Sequence, residues 1–471
     1  MGFRYETLAE QFEGAINSGV YPLGTRLPSI RQTSERHGVS MTTVMQAFAR
    51  LEEQGLIETR PKSGHFVSQP MDDTRPVECS RPRQVPGDVA ISQLAMDVVA
   101  SMSNPEVVPL AAAVPGPATL PLADLAKCHA RAARTIRNRA AEYETPLGTP
   151  ELRTAISRKA VDLGFSEAPE DIVITNGAQE ALVLAFASVT RPGDIVAIES
   201  PTYFGVIQAL EALNLRALEI PTDPRRGIDL NALESAIRKY PIKACSLMPN
   251  YQNPLGFRMS DADKEDVANM LARHDIPLIE DGVFGYLSSG TPLPRAAKSF
   301  DRADNVIFCS SFSKTVSAAL RIGWMAPGRY REQIVRRKFL MNFTSPTVAQ
   351  LALADFLKGN RFRRVTQAAA RVYQARLRRM RNEVVDSFPE GSTFSVPQGG
   401  YYLWVRLPEF TDAGQFYDRA FSEGITFAPG RLFSTTREYG NCLRLSVAAV
   451  EEVKLTKAIA RLGAIARSCR R

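Results

Sequence analysis

Residues 310–323 read Ser310-Ser311-Phe312-Ser313-Lys314-Thr315-Val316-Ser317-Ala318-Ala319-Leu320-Arg321-Ile322-Gly323, directly after the apolar run Val306–Cys309. One lysine stands among hydroxyls, with an arginine seven residues on. A lysine amine forms a Schiff base with an aldehyde, and hydroxyls beside a planar guanidinium hold a phosphate. This is the residue set of a pyridoxal 5'-phosphate (PLP) site: Lys314 for the aldehyde, and Ser311, Ser313 and Arg321 for the phosphate. In open α/β sheets ligands gather beyond the carboxyl ends of strands, so a β-type run ending at such a cluster points to that fold.

Four more strand-like runs end in residues of suitable chemistry. Ile172–Thr175 leads into Asn176-Gly177-Ala178-Gln179, a helix start whose free N–H groups and positive dipole end attract phosphate. Ile195–Glu199 leads to Pro201-Thr202-Tyr203, with a ring able to stack on a pyridine. Ala244–Met248 leads to Asn250-Tyr251-Gln252-Asn253-Pro254-Leu255-Gly256, with an amide for a phenolic oxygen. Pro277–Glu280 leads to Asp281, a carboxylate suited to keep a pyridine nitrogen protonated. Near the end, Arg444 lies in Asn441–Ser446 and can clamp an α-carboxylate. Singly, each has a commoner reading: a plain helix start, a turn, core packing, a salt bridge. Their order and shared strand-end placement carry the assignment. Helical stretches separate most of the runs, so the expected class is α/β with a mainly parallel sheet covered on both faces.

The first 70 residues differ. Leu8, Phe12 and Ile16 recur at helical spacing, Pro28-Ser29 opens a second helix, and Val44, Ala47, Phe48 and Leu51 mark a third that Gly55 closes. Two short strand-like pieces, 56–59 and 65–68, follow around a turn. Three helices and a hairpin make a winged helix-turn-helix, a DNA-reading module. The expected organisation is 1–68 for this domain, 69–90 for a proline-bearing linker, and 91–471 for the large domain.

The chain has 471 residues, 44% hydrophobic and 23% charged, as in water-soluble globular proteins. No apolar run approaches spanning length and the N-terminus lacks a signal-peptide core, so cytoplasm is the default and no membrane partner is expected. Six scattered cysteines and four dispersed histidines suggest neither disulfides nor a metal site. The net charge of +8 is not in the DNA module, which balances seven Lys/Arg against seven Asp/Glu over residues 1–70. Eight arginines lie in 361–381 and read as the solvated face of an amphipathic helix.

Residues 105–465 resemble fold type I PLP enzymes of the aspartate aminotransferase class. The matching pieces are Tyr143-x-x-Pro146-x-Gly148, Gly177-Ala178-Gln179, Asn253-Pro254-x-Gly256, Asp281, Ser311-x-Ser313-Lys314, Arg321-x-Gly323 and Arg444. The resemblance implies Lys314 as the Schiff-base lysine, Asp281 at the ring nitrogen, Asn253 at the ring oxygen, Tyr203 on the ring and Arg444 on the substrate carboxylate. It also implies that Tyr143 reaches the phosphate of a neighbouring subunit, and hence a homodimer. One position departs: Phe284 stands where the family has a tyrosine whose hydroxyl shares the ring oxygen, with Tyr286 the nearest replacement.

Residues 5–67 resemble the GntR-type winged helix through Gly24-x-x-Leu27-Pro28-Ser29-x-Arg31, Gly38-Val39-Ser40-x-x-Thr43-Val44, Gly55-Leu56-Ile57 and the wing Lys62-Ser63-Gly64-His65. By this resemblance Arg31 and Thr43 contact phosphates, Ser40, Met41 and Thr42 begin the recognition helix, and Lys62, Gly64 and His65 approach the minor groove. Met41 replaces an arginine common among relatives, which moves base reading towards thymine methyls or DNA shape. The joined layout resembles MocR-type bacterial regulators. It implies a PLP-dependent transcription regulator whose aminotransferase-like domain senses an amino acid, an amine or PLP itself. The alternative is an active aminotransferase acting on an amino acid and a 2-oxo acid.

Overall fold

The structure, a computed structural model, describes residues 4–22, 24–53, 55–60, 63–68, 76–101, 106–290, 292–436 and 438–469. Lys62 falls outside them. The chain divides into a small N-terminal unit and a large unit.

In the small unit, helices α1 (Arg4–Asn17), α2 (Ile30–His37) and α3 (Met41–Glu53) precede strands β1 (Ile57–Arg60) and β2 (Gly64–Val67). Ser29 starts α2 with a reciprocal cap: its Oγ accepts from Gln32 N–H, and the Gln32 side chain accepts from Ser29 N–H. Gly38 then ends α2 in the left-handed conformation (φ 61°), which turns the chain sharply into α3. The buried stripe of α3 is Val44, Ala47, Phe48 and Leu51, and it closes a core with Leu8, Phe12, Leu27, Leu56, Ile57 and Val67. The hairpin pairs Ile57 with Val67 through to Arg60 with Gly64. This is the expected winged helix-turn-helix.

The large unit opens with helix α4 (Ser92–Ser101) and a short strand β3 (Val108–Pro109), followed by helices α5 (Leu122–Thr135) and α6 (Pro150–Ala160). Its main sheet comprises β4 (Val173–Thr175), β5 (Ile195–Ser200), β6 (Arg216–Asp223), β7 (Gly227–Ile228), β8 (Ile242–Leu247), β9 (Leu278–Asp281), β10 (Val306–Ser311) and β11 (Gly323–Ala326). Helix α7 (Ala178–Val189) follows β4, and α8 (Phe204–Ala212) follows β5. The spatial order is β4-β11-β10-β9-β8-β5-β6-β7. Neighbours from β10 through to β6 run parallel, whereas β11 is antiparallel to both β10 and β4. Residues 312–322 are too few for a helical crossover, so the chain must return antiparallel. That return holds Lys314 and Arg321 in one loop. Strand alternation sorts the apolar residues by face: Ile307, Cys309 and Met325 pack on one side, Phe308, Trp324 and Ala326 on the other.

A second sheet near the C-terminus has β12 (Thr393–Phe394), β13 (Tyr402–Arg406), β15 (Ala428–Pro429) and β16 (Cys442–Ser446) in the order β12-β13-β16-β15, while β14 (Ile425–Thr426) pairs with β3. The basic helix Arg361–Ser387 is amphipathic as read, with Tyr373, Leu377, Met380 and Val384 buried and Arg363, Arg364, Arg371 and Arg379 exposed.

The proline-bearing stretch differs from a free linker over 76–90. Pro76 bridges to Phe394, Gly87 to Ala217, and Val77 is buried. Ser80 Oγ accepts from Thr222 N–H (2.7 Å) and Gln84 O from the Tyr240 hydroxyl (3.0 Å). Proline lacks an N–H but keeps an extended backbone with carbonyl acceptors, which suits a sheet margin as well as a tether. The rest of the expected linker, 69–75, lies outside the described residues.

Candidate functional site

The carboxyl ends of the parallel strands converge on a cavity. It is lined by Lys314, Asp281, Asn253, Tyr203, Ala178, Gln179, Ser311, Ser313 and Arg321, joined by Ala113, Met248, Val283, Phe284 and Tyr402. Nine residues expected from the sequence are thus brought together. Arg444, buried on β16, approaches from the second sheet: its Nη1 donates to Asn253 Oδ1 (3.0 Å) and its Nη2 to Ala111 O (2.7 Å). Its guanidinium carbon sits 4.3 Å from the centre of the Tyr402 ring, a favourable cation–π placement.

The corner at the start of α7 depends on a missing side chain. Gly177 lies at φ 85°, ψ 173°, a region essentially confined to glycine, and a Cβ there would meet Arg321 Nη2 at 2.6 Å. The first turn of α7 has no side-chain cap, so its N–H groups are free to face an anion. Arg321 itself adopts a left-handed backbone (φ 53°), and its Nη2 donates to Asn176 O (3.2 Å). Ser311 Oγ donates to Ser313 Oγ (2.8 Å) and accepts from Ser313 N–H (3.1 Å), which fixes both hydroxyls at the cavity wall.

The acid and the amine are tuned by their surroundings. Burial raises Asp281 to about 7, opposed by the N–H of Val283 on its Oδ1 and by the positive charge of Lys314. Loss of water lowers Lys314 to about 8, helped by Arg444 and Arg321 and opposed by Asp281. Lys314 Nζ donates to Ala113 O (2.5 Å), which also accepts from the Tyr401 hydroxyl (2.9 Å). An uncapped helix end with a guanidinium, a buried acid and an amine of lowered basicity, all facing one cavity, fit the phosphate, ring nitrogen and aldehyde of PLP. Among the described residues no group of His, Cys, Asp and Glu is placed to hold a metal ion. No described helix is long and apolar enough to cross a membrane.

Phe284 lines the cavity with its ring edge-on to Tyr401 (5.1 Å) and Tyr402 (5.5 Å). Tyr286 does not replace the missing hydroxyl, because it donates to Lys159 O (3.0 Å) and packs against Phe362. Tyr143 is 86% exposed and lies edge-on to Phe343 (5.2 Å), away from this chain's own cavity lining.

Sequence reading missed several groups. Tyr402 follows Gln398-Gly399-Gly400-Tyr401, and the paired glycines were the available signal: a Cβ on Gly399 would strike the Tyr251 ring at 2.2 Å. Ala113 and Met248 have no local mark at all. Glu199 is a second buried carboxyl, raised to about 8 by burial. Its Oε2 accepts from Met248 N–H (3.1 Å) and Gln252 Nε2 (3.5 Å), which braces the turn that presents Asn253.

In the small unit, Arg31 is exposed and ion-pairs with Glu35 (3.1 Å). Ser40 Oγ accepts from Thr43 N–H (3.1 Å) and bonds its hydroxyl (2.9 Å), capping α3, while Thr42 is exposed. Gly64 (φ 106°) lets the exposed Arg26 guanidinium lie close, its Nε 3.2 Å from where a Cβ would stand. Arg26 was not singled out from the sequence. His65 turns inward, 4.9 Å from Phe48, with Nδ1 paired to Thr59 Oγ1 (3.1 Å). Burial lowers its basicity.

Comparison with known proteins covers both units. The family model of gntR bacterial regulatory proteins matches residues 4–67, and that of class I and II aminotransferases matches 107–462. The HTH-type transcriptional regulator YdcR of Escherichia coli K12 is 38% identical over 468 residues, covering 98% of each chain. YjiR of the same strain is 36% identical over 460 residues, again with 98% of each covered. Among solved structures, the multiple substrate aminotransferase of Thermococcus profundus superposes with a TM-score of 0.73 at 26% identity, over 79% of this chain and 94% of that one. The α-aminoadipate aminotransferase LysN of Thermus thermophilus, complexed with N-(5'-phosphopyridoxyl)-L-leucine, gives 0.72 at 25%, over 81% and 99%. The chain belongs to the GntR family of bacterial regulatory proteins, in the MocR-type branch that joins the winged helix to a class I and II aminotransferase domain.

Proposed function

We propose that this protein is a cytoplasmic, PLP-dependent transcription regulator whose large unit senses an amino acid, an amine or PLP itself. The observation that carries the reading is the convergence of nine PLP-type residues on one cavity in a chain that begins with a winged helix. When bound, PLP would supply an aldehyde carbon that takes up amines and a ring that draws electrons. Ser311, Ser313, Arg321 and the start of α7 would hold its phosphate, and Tyr203 would flank the ring. Asp281 would hold a proton at the ring nitrogen, and Asn253 would meet the ring oxygen. Lys314, lowered towards neutrality, would supply the exchangeable amine. An incoming carboxylate would take Arg444 away from Asn253 Oδ1 and Ala111 O.

A homodimer is part of the proposal. Tyr143, Phe339, Leu340, Met341 and Phe343 are all exposed, an apolar grouping that a second copy would cover. Two DNA-reading units on one dimer would add avidity to a module of neutral charge. Ligand preference for one dimer arrangement, with coupling of roughly 1–3 kcal/mol, would set DNA affinity. Catalytic turnover is the second reading, favoured by the presence of Lys314, Asp281 and Arg444 in one neighbourhood.

The test is a panel of amino acids and amines on PLP-loaded protein, following visible absorbance and binding to selected duplex DNA together. Ligands that change both support the sensor. Conversion of an amino acid to its oxo acid at ordinary enzyme rates, with DNA binding unmoved, would replace it with the enzyme reading.

A further inference from the structure

We infer that α3 reads A·T base pairs, through thymine methyl groups and adenine edges, at the steps its first two turns reach. This rests on the DNA-reading role proposed above and names what that role recognises.

The face of α3 opposite its buried stripe carries Met41, Thr42, Met45, Gln46 and Ala49, all exposed. Met41 and Met45 are 58% and 57% exposed, although the unit has a core of its own. Two outward thioethers one turn apart do nothing for that core. They gain only when a partner covers them. In the major groove the distinctive apolar feature is the thymine C5-methyl, and adenine offers an acceptor and a donor that one amide meets together. Gln46, beside Met45, supplies such an amide.

The absent groups are as informative. Guanine edges are met by arginine or lysine, and the cytosine amino group by a carboxylate. From Met41 to Ala49 the helix carries no charged residue of either sign. The first arginine, Arg50, sits in the last turn and pairs with Glu6 (3.3 Å). Ser40 and Thr43 bond one another, which leaves Thr42 as the free hydroxyl and methyl at the helix start. Met41 to Gln46 covers about 7.5 Å of helix axis, or roughly two base steps.

The experiment uses the full-length protein and duplexes recovered from a random-sequence pool. Expected are duplexes with two or more adjacent fixed A·T pairs in each half-site, and a loss of about tenfold or more when one becomes G·C. Replacing a fixed thymine by deoxyuridine, which removes only the methyl, should weaken binding about fourfold. Met45→Ala should bind less tightly and lose the deoxyuridine effect, and Gln46→Ala should relax selection at one position. Fixed G·C pairs, or affinity indifferent to deoxyuridine and to both substitutions, would overturn the base assignment and point to a protein partner for this face. Recovery of no preferred duplex would overturn the DNA reading itself, and this inference with it.

Discussion

Gly177→Ala tests the anion corner. The native backbone angles, φ 85° and ψ 173°, lie where a residue with a Cβ pays about 1–3 kcal/mol in strain. The new methyl would stand 2.6 Å from Arg321 Nη2 and 3.2 Å from its Cζ, so the guanidinium must move. A charge-assisted hydrogen bond contributes about 1.5–3 kcal/mol, so PLP affinity should fall roughly 10- to 150-fold. The assay is PLP titration of the apo-protein, by visible absorbance, for the native chain, Gly177→Ala, Arg321→Ala and the double variant. If the methyl acts by displacing Arg321, it should cost much less PLP affinity in the Arg321→Ala background. Thermal unfolding reports the strain separately. Native PLP affinity in Gly177→Ala, or an equal loss with and without Arg321, would refute the reasoning.

Three further outcomes follow from the geometry. With Lys314 lowered to about 8, the neutral amine becomes the major form above that pH, so the rate of PLP loading should rise up to pH 8 and level off, as stopped-flow absorbance would show. A rate still rising about tenfold per unit between pH 8 and 9 would mean an ordinary lysine. Phe284→Tyr adds a donor beside the expected ring-oxygen position, and should lower the pH midpoint of the bound cofactor's visible band by about one unit. Leu340 is 82% exposed within the apolar grouping, so Leu340→Glu should shift the protein to monomer in analytical ultracentrifugation and weaken PLP binding, whereas Tyr143→Phe should weaken PLP binding with the dimer intact.

What was legible in the sequence was what local chemistry marks. Asp281 ends one buried strand and Lys314 follows another by three residues, and a β-type run stopping at polar side chains is visible without any structure. Ser29, Gly38 and Gly55 punctuate the small unit in the same way. Tyr402 and Ala113 reach the cavity only because the second sheet and the segment after β3 fold back over it, and such long-range approach leaves no periodic trace. The antiparallel return of β11 was hidden because a four-residue buried strand has no alternation to read. The 76–90 stretch was read as a tether because proline-bearing composition describes a segment's preference, whereas packing along β6 decides its use.

Strand β4 has its partner far along the chain. Thr175 pairs with Gly323, and Arg444 comes later still, whereas the helix–hairpin unit is complete by Val67. Domains fold N-terminal first while the ribosome adds about 5–20 residues per second, so a newborn chain carries a finished helix–hairpin unit for about 20–80 s before its cavity is closed. During translation the winged-helix unit is therefore complete before the large unit is. With seven basic and seven acidic residues over 1–70, that lone unit carries no net charge to draw it to DNA phosphates.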